Sequence, residues 1–335
     1  MYTVGIIGAG SIGAMKPDHI DSPATEIPLT HAHAVYSDNN FKLLWVYDKS
    51  VPAMQQANKK WSCSRSFSLD PVDVLVIATP TNTHLEQIQK ICMANKKDRP
   101  RLIILEKPAG SNIHEATKID YLTKEFGIKV VVNYGRRFCN FIIDCASEIK
   151  KREKIQSIVF HYTRGFVRDG SHAIDMFNLF AGTFTDGTLL PNPIIDHDEK
   201  DPTYSAVMEY SKCPKIFLVA MDGREYDIFE MEVRTDQATW SFSDHFKRLC
   251  FTSKRKEETY GDYYSMPAPD NHLWQSGLEY SLKNLYESVY DYLARIDAGD
   301  IPNPKPLCGM KEAIRVHSVI NRLMIKKQIE EGEKK

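Results

Sequence analysis

Val4-Gly5-Ile6-Ile7-Gly8-Ala9-Gly10-Ser11-Ile12-Gly13 is the stretch on which the reading of this chain turns. Its apolar half predicts a strand, and its glycines fall where that strand gives way to a helix. Gly8 permits the tight turn, Gly10 lets a pyrophosphate approach the backbone, and Gly13 lets helix and strand pack closely. With Ser11 and Ile12 the loop offers backbone N–H groups and the positive end of a helix dipole to a phosphate. An ordinary strand-to-helix turn is the alternative reading; the strand context favours a dinucleotide.

Four further apolar runs follow: Leu43–Tyr47, Val72–Ala78, Leu102–Leu105 and Val130–Val132. They are near-continuous rather than alternating, as parallel strands covered on both faces are. Between them Leu85, Ile88, Ile91 and Cys92 share one helical face, and Ala116, Ile119 and Leu122 another. Strand and helix in alternation predict an α/β fold, a Rossmann-type doubly wound parallel sheet over residues 1–135. Glu106-Lys107-Pro108 follows the fourth run, so its lysine emerges at the carboxyl edge of the sheet, where such folds bind their ligands.

Residues 136–335 read differently. Phe229, Met231 and Val233 alternate with Glu230, Glu232 and Arg234, and Trp240 and Phe242 with Ser241 and Ser243. With Ile158–Tyr162 and Ile216–Ala220 this predicts an α+β domain built on a large, mainly antiparallel sheet. A long amphipathic helix carries Leu278, Leu282, Leu285, Val289, Leu293 and Ile296, stopping near Gly299 before Pro302, Pro304 and Pro306. A last helix starts near Met310 and frays in the charged tail Glu330–Lys335. The boundary between the domains is expected near Tyr134–Phe138. One face of the second sheet, with Phe, Trp and Met, is expected to pair with another copy, giving a homodimer or homotetramer.

With 335 residues, 42% of them hydrophobic, the chain buries a core large enough to fold without disulfides or a structural metal. A net charge of −1 argues against nucleic acid or an anionic membrane as the main partner. No apolar stretch is long enough to span a bilayer, and Met1-Tyr2-Thr3 runs directly into a strand, so no signal peptide is expected. Seven scattered cysteines with no Cys-x-x-Cys pair suit free thiols in a reducing cytoplasm.

Asp48 ends the second strand, where a carboxylate accepts from both ribose hydroxyls and repels a 2′-phosphate. NAD is therefore the expected cofactor, with NADP kept as the alternative by Lys49. The usual gap from the last glycine to this acid is about 20 residues; here it is 35 positions. Pro17, Pro23 and Pro28 fall within Met15–Thr30 and should break the first helix, leaving one turn, an excursion, and a helix through His31–Ser37. The excursion is expected to cover the cofactor or meet a neighbouring subunit. His31 and His33 lack a third ligand and read as polar surface, so no metal site is expected.

The motifs taken in order resemble the Gfo/Idh/MocA family, the glucose-fructose oxidoreductase and inositol dehydrogenase group. They are the glycine turn, Ala78-Thr79-Pro80-Thr81-Asn82-Thr83-His84, Glu106-Lys107-Pro108, Asn133-Tyr134-Gly135-Arg136-Arg137-Phe138 and Gly170-Ser171-His172-Ala173-Ile174-Asp175. The resemblance implies that Thr79, Pro80, Asn82 and His84 line the nicotinamide side of the cofactor. Glu106 and Lys107 would lie where nicotinamide meets substrate, and Arg137 would reach a bound sugar. His172 and Asp175, at i and i+3, share a helix face, so both can address one bound substrate. Oxidising a secondary alcohol needs a base, for which His172 is the candidate, and a cation beside the oxygen, for which Lys107 is. Many relatives carry aspartate where this chain has Arg168. With Arg136, Arg137 and Arg164 it favours an anionic carbohydrate: a sugar acid, sugar phosphate or nucleotide sugar. Two other outcomes fit the same motifs. One is an NAD-retaining enzyme of elimination, epimerisation or glycosidic cleavage; the other is a non-catalytic dinucleotide-binding regulator.

Overall fold

The computed structural model describes residues 1–63, 70–259, 261–268, 273–300 and 308–332. Pro302, Pro304 and Pro306, and the last three residues of the charged tail, lie outside the described residues.

Five parallel strands form the first sheet: β1 (Tyr2–Ile7), β2 (Phe41–Tyr47), β3 (Val74–Ile77), β4 (Leu102–Leu105) and β5 (Lys129–Val132). Their order is β2-β1-β3-β4-β5. Every residue of β3 and β4 is buried, which is why these runs are apolar throughout. The helices α1 (His31–Tyr36), α2 (Val51–Lys60), α3 (His84–Met93) and α4 (Ile113–Glu125) connect them. The strand order reverses at β1, between β2 and β3, and such a reversal opens a crevice at the carboxyl edge.

After the glycine turn the backbone makes one helical turn, with Ala14 and Met15 N–H both donating to the Gly10 carbonyl at 3.0 and 3.1 Å. The chain then leaves and returns at His31, whose N–H donates to the Ile12 carbonyl at 2.9 Å; Ala32 N–H donates to Gly13 at 2.9 Å. An unbroken helix makes those bonds from the residues four positions on. Lys16–Thr30 is thus a fifteen-residue loop spliced into one helical register, and without it the distance from Gly13 to Asp48 falls to 20 positions. The splice is closed by Asp21, fully buried, which accepts from Leu29 N–H and the Thr30 hydroxyl, both at 2.9 Å. Asp21 also pairs with His33 Nδ1 at 2.9 Å. Trp61 stacks on His33 and donates its Nε1–H to the Ala14 carbonyl at 2.7 Å. His31 and His33, expected on the polar surface, are both buried, because each has an acidic partner inside the fold.

Backbone contacts divide the chain into two compact units, Met1–Cys139 with Glu279–Ile314, and Asn140–Leu278 with Arg315–Lys335. A single boundary near Tyr134–Phe138 does not anticipate the return of α7 (Ser281–Asp297) to the first unit. That return is fixed by polar contacts as well as by the Leu282, Leu285, Val289 and Leu293 stripe. Tyr286 hydrogen-bonds His31, Asn284 donates to the Phe138 carbonyl at 2.8 Å, and Asp297 takes the Tyr2 hydroxyl and an ion pair with Arg101 at 2.6 Å.

The second unit holds α5 (Asn140–Arg152), α6 (Gly170–Ala181), part of α8 (Met310–Gly332) and a large sheet. Its main strands are β6 (Ile155–Tyr162), β7 (Phe184–Leu189), β8 (Ala206–Tyr210), β9 (Cys213–Ala220), β10 (Phe229–Thr235), β11 (Ala238–Ser243) and β12 (Arg248–Ser253). Short strands β13 (Arg255–Lys256) and β14 (Tyr264–Ser265) pair apart, and β15 (Trp274–Gln275) closes one edge. The order is β15-β12-β11-β10-β6-β9-β8-β7, and all neighbours are antiparallel except β6 and β9. Phe160, Met231, Val233 and Phe242 are buried on one side. Val159, Phe217 and Val207 stand opposite one another on the other, Phe217 40% and Val207 37% exposed. The exposed apolar side is therefore a Val–Phe–Val row flanked by Glu232; Met231 lies on the covered side.

Candidate active site

A cleft of about 420 Å³ lies at the carboxyl edge of the first sheet, lined by residues that follow β1, β2 and β3. Gly8 and Gly10 come from the first, Tyr47, Asp48 and Lys49 from the second, and Ala78, Thr79, Pro80, Thr83 and Gln87 from the third. Gly8 sits at φ +108° with Ala78 against it, so a side chain there is excluded on two grounds. A Cβ on Gly13 would collide with the Gly8 carbonyl, whereas the same position on Gly10 faces open space. Gly13 closes the turn from behind, and Gly10 presents bare backbone to the cleft.

Asp48 does more than face the cleft. One carboxylate oxygen accepts the Ala9 N–H at 2.8 Å and the other accepts the Ser50 N–H at 2.8 Å. It thereby ties the glycine turn to the end of β2 and keeps unused lone pairs for a further donor. A bare glycine backbone, an acid at the end of β2 and Thr79-Pro80 on the far wall fit a dinucleotide laid across the strand ends. No residue of Met15–Thr30 lines this cleft; Asp21 pairs with His33 of α1, and Lys60 at the end of α2 bonds the Lys16 carbonyl and Asp18.

Of the other residues expected to bind cofactor, Ser11, Ile12, Gly13, Asn82, His84, Glu106 and Lys107 do not line the cleft. His84 opens α3 fully buried, with Nε2 2.9 Å from the Thr79 carbonyl. Burial pulls its pKa below the ordinary imidazole value, opposed by the Thr79 carbonyl and the nearby Glu106. Since Nε2 donates to Thr79, the ring stiffens the Thr79-Pro80 wall from behind. Lys107 is half-buried, and its peptide bond to Pro108 is cis.

Glu106 is 9% exposed, and its Oε1 takes two hydrogen bonds, from His31 Nε2 at 2.9 Å and Asn133 Nδ2 at 2.6 Å. Burial raises its pKa, but the bonds from His31 and Asn133 and the charge of Lys107 outweigh that and hold the carboxyl below its ordinary range. His31, Asn133 and Tyr286 had no role in the sequence reading. The signal for Asn133 was present in its motif; His31 was hidden by the spliced loop.

In the second unit, Arg168, His172 and Asp175 lie on the loop and first turns of α6. Two carboxylates shape that loop. Asp196 accepts from Arg164 N–H at 2.7 Å, Gly223 N–H at 3.0 Å and the Thr203 hydroxyl at 2.6 Å. Asp201 accepts from Val167 and Arg168 N–H at 2.8 and 2.9 Å. Burial raises the Asp201 pKa; at Asp196 the Thr203 hydroxyl and the backbone donors overcome burial and lower it. His172 is half-buried, its ring edge-on to Phe229. Asp175 is fully buried, although the same helix face carries His172. Arg164 is ion-paired with Asp227 at 3.2 Å, so its charge is already compensated. Arg168 lies against His197, 4.0 Å from Asp169, and stays half-exposed. Arg137, in the first unit, is buried in the turn Gly135–Phe138.

Among the described residues no cluster of three or more His, Cys, Asp and Glu side chains could hold a metal ion. No described helix is long and apolar enough to cross a membrane.

Comparison with known proteins adds to this geometry. The Gfo/Idh/MocA family model, described as an oxidoreductase family with an NAD-binding Rossmann fold, matches residues 2–134. The chain is 31% identical over 131 residues to a scyllo-inositol 2-dehydrogenase (NAD(+)) of Bacillus subtilis. That stretch is 38% of this chain and 36% of the relative, so the chain spans little more than a third of that curated protein's length. A solved UDP-N-acetylglucosamine 3-dehydrogenase from Acidithiobacillus ferrooxidans aligns over 97% of each chain with a TM-score of 0.68 at 15% identity. The super-repressor mutant of Gal80p from Saccharomyces cerevisiae aligns over 98% of this chain and 96% of its own, with a TM-score of 0.73 at 13% identity. At such identities the likeness is one of fold.

Proposed function

We propose that the chain, whose residues 2–134 match the model of the Gfo/Idh/MocA oxidoreductase family, is an NAD(H)-dependent dehydrogenase of a sugar or sugar derivative. One observation carries the reading: Gly8, Gly10, Asp48, Thr79 and Pro80 line a single cleft at the carboxyl edge, and Glu106-Lys107 leaves that edge from the neighbouring strand β4. Gly10 and the following N–H groups hold the pyrophosphate, Asp48 the adenosine ribose, and Thr79 and Pro80 the far end of the cofactor. The negative charge of Asp48 selects NAD over NADP.

When bound, NAD supplies the hydride acceptor. His172 takes the hydroxyl proton of the substrate, a task suited to an imidazole. The Lys107 ammonium stabilises the developing alkoxide and fixes its position. Arg137 and Arg168 hold the carbohydrate, and Asp175, on the His172 face of α6, is the third substrate-binding candidate. Arg168, its side chain half-exposed beside His197 and Asp169, is the guanidinium of this loop proposed to meet an anionic substrate. Cytoplasmic residence fits the seven free cysteines. Assembly into a homo-oligomer would cover the Val159, Phe217 and Val207 row.

A panel of neutral polyols, sugar acids and nucleotide sugars, each with NAD and NADP and followed by nicotinamide absorbance, tests this. Signal is expected with NAD and at least one charged sugar, and Arg168→Ala should remove it for charged substrates alone. Equal loss with neutral polyols would refute the anionic specificity. The fold shared with Gal80p supports a second reading, a dinucleotide-binding regulator. It predicts bound NAD and no absorbance change across the whole panel.

A further inference from the structure

His31 stands in the first turn of α1, immediately after the spliced loop, with none of its surface exposed. Both ring nitrogens are engaged: Nε2 with Glu106 Oε1 at 2.9 Å and Nδ1 with the Tyr286 hydroxyl at 3.0 Å. A carboxylate only accepts, so Nε2 carries the proton and donates it to Glu106. Nδ1 shares a hydrogen bond with the Tyr286 hydroxyl, which keeps its proton because burial pushes it well above the ordinary phenol value. The bonds link Tyr286, His31 and Glu106 in a row. Asn133 donates to the same oxygen from the end of β5, and neither bond uses Oε2. Lys107 on its own loop and His84 at the start of α3 are further charged or titratable neighbours of Glu106. Tyr286 and His31 are both buried.

We propose that His31 is a positioning residue that keeps Glu106 an oriented, ionised carboxylate beside Lys107, giving this part of the site a fixed negative charge that favours the cationic nicotinamide of NAD over the neutral ring of NADH. Glu106 is suited to this because β4 pairs directly with β3, whose following residues Ala78, Thr79 and Pro80 line the cofactor cleft. The preference between the two forms of the cofactor rests on the proposed function. The ionisation of Glu106 does not.

The test compares wild type, His31→Gln, His31→Leu and Glu106→Gln as full-length chains. Glutamine can donate its amide to Glu106 and accept from Tyr286 without itself titrating; leucine does neither. In cofactor-free protein labelled with ¹³C at the glutamate carboxyl, the Glu106 resonance is the one lost in Glu106→Gln. Its titration midpoint should rise by at least about one pH unit in His31→Leu and stay near wild type in His31→Gln. An unchanged midpoint in His31→Leu would overturn the proposal, and so would a rise in His31→Gln as large as that in His31→Leu. Dissociation constants for NAD and NADH supply the second readout. The preference for NAD should fall about tenfold in His31→Leu and in Glu106→Gln, and survive in His31→Gln. A loss of thermal stability in His31→Leu with both readouts unmoved would make His31 a packing residue only. Failure of wild type to bind either dinucleotide would remove the proposed function, and the carboxyl titration would still decide the claim about His31.

Discussion

Asp48 combines two jobs in one side chain. It fastens Ala9 N–H and Ser50 N–H, and it faces the cleft where a ribose is expected. Asp48→Ala should therefore weaken NAD binding more than loss of a single ribose contact, by about tenfold or more, since hydrogen bonds to a charged group contribute about 1.5–3 kcal/mol. Titration calorimetry checks it, and NADP binding should be weakened less than NAD binding. His84 makes a prediction of a different kind. Its folded pKa lies below the ordinary 6.5, so the unfolded chain takes up a proton at a pH where the folded chain does not. Its contribution to stability is present above that value and is lost as pH falls below it. Melting temperature should accordingly drop between pH 6.5 and 5, with a shallower slope in His84→Gln. Calorimetric scans across that range decide it, and equal slopes would show that another group drives the change.

At the scale of the element, the splice makes the sharpest prediction. The His31 and Ala32 N–H groups already meet the Ile12 and Gly13 carbonyls at helical spacing. Deleting Lys16–Thr30 should join Met15 to His31 in one continuous helix, and the chain should fold and bind NAD within about threefold of wild type. Circular dichroism and calorimetry on the deletion variant check both, and an unfolded product would show that Asp21 is indispensable to the α1 register. The five parallel strands were legible because burial on both faces leaves near-continuous apolar runs. The helical break was legible from Pro17, Pro23 and Pro28. The return to an i→i−4 register across fifteen residues was not, because closure depends on Asp21, Thr30 and His33 meeting in space. β7 escaped for a local reason: Phe184–Leu189 contains Asp186, Gly187 and Thr188, which favour turns as readily as strands. The glycine turn and Asp48 were readable as a site because their chemistry is local, whereas the His31–Glu106–Asn133–Tyr286 group joins four distant segments.

For the whole molecule, the exposed side of the large sheet is the feature that asks for a partner. Val207 and Phe217 stand opposite each other in the β8–β9 pair, and Val159 opposite Phe217 in the β9–β6 pair. On the proposed reading this row is covered by a second copy. Phe217→Glu places a charge at its centre and should shift the protein to monomer in light scattering after size exclusion, with cofactor binding kept. An unaltered mass would remove this face from the assembly. The return of α7 also has a consequence at this scale: a chain cut after residue 139 lacks Tyr286 and Asp297, and with them the partners of His31, Tyr2 and Arg101.

The central claim is that the amino-terminal unit holds NAD for chemistry assisted by Lys107. Initial rates of nicotinamide reduction in wild type and Lys107→Ala, on the best substrate of the panel and at saturating NAD, test it most directly. A fall in kcat of about 10²–10⁴-fold, with the dissociation constant for NAD within about threefold of wild type, is the predicted result. Turnover in Lys107→Ala within tenfold of wild type would contradict the account.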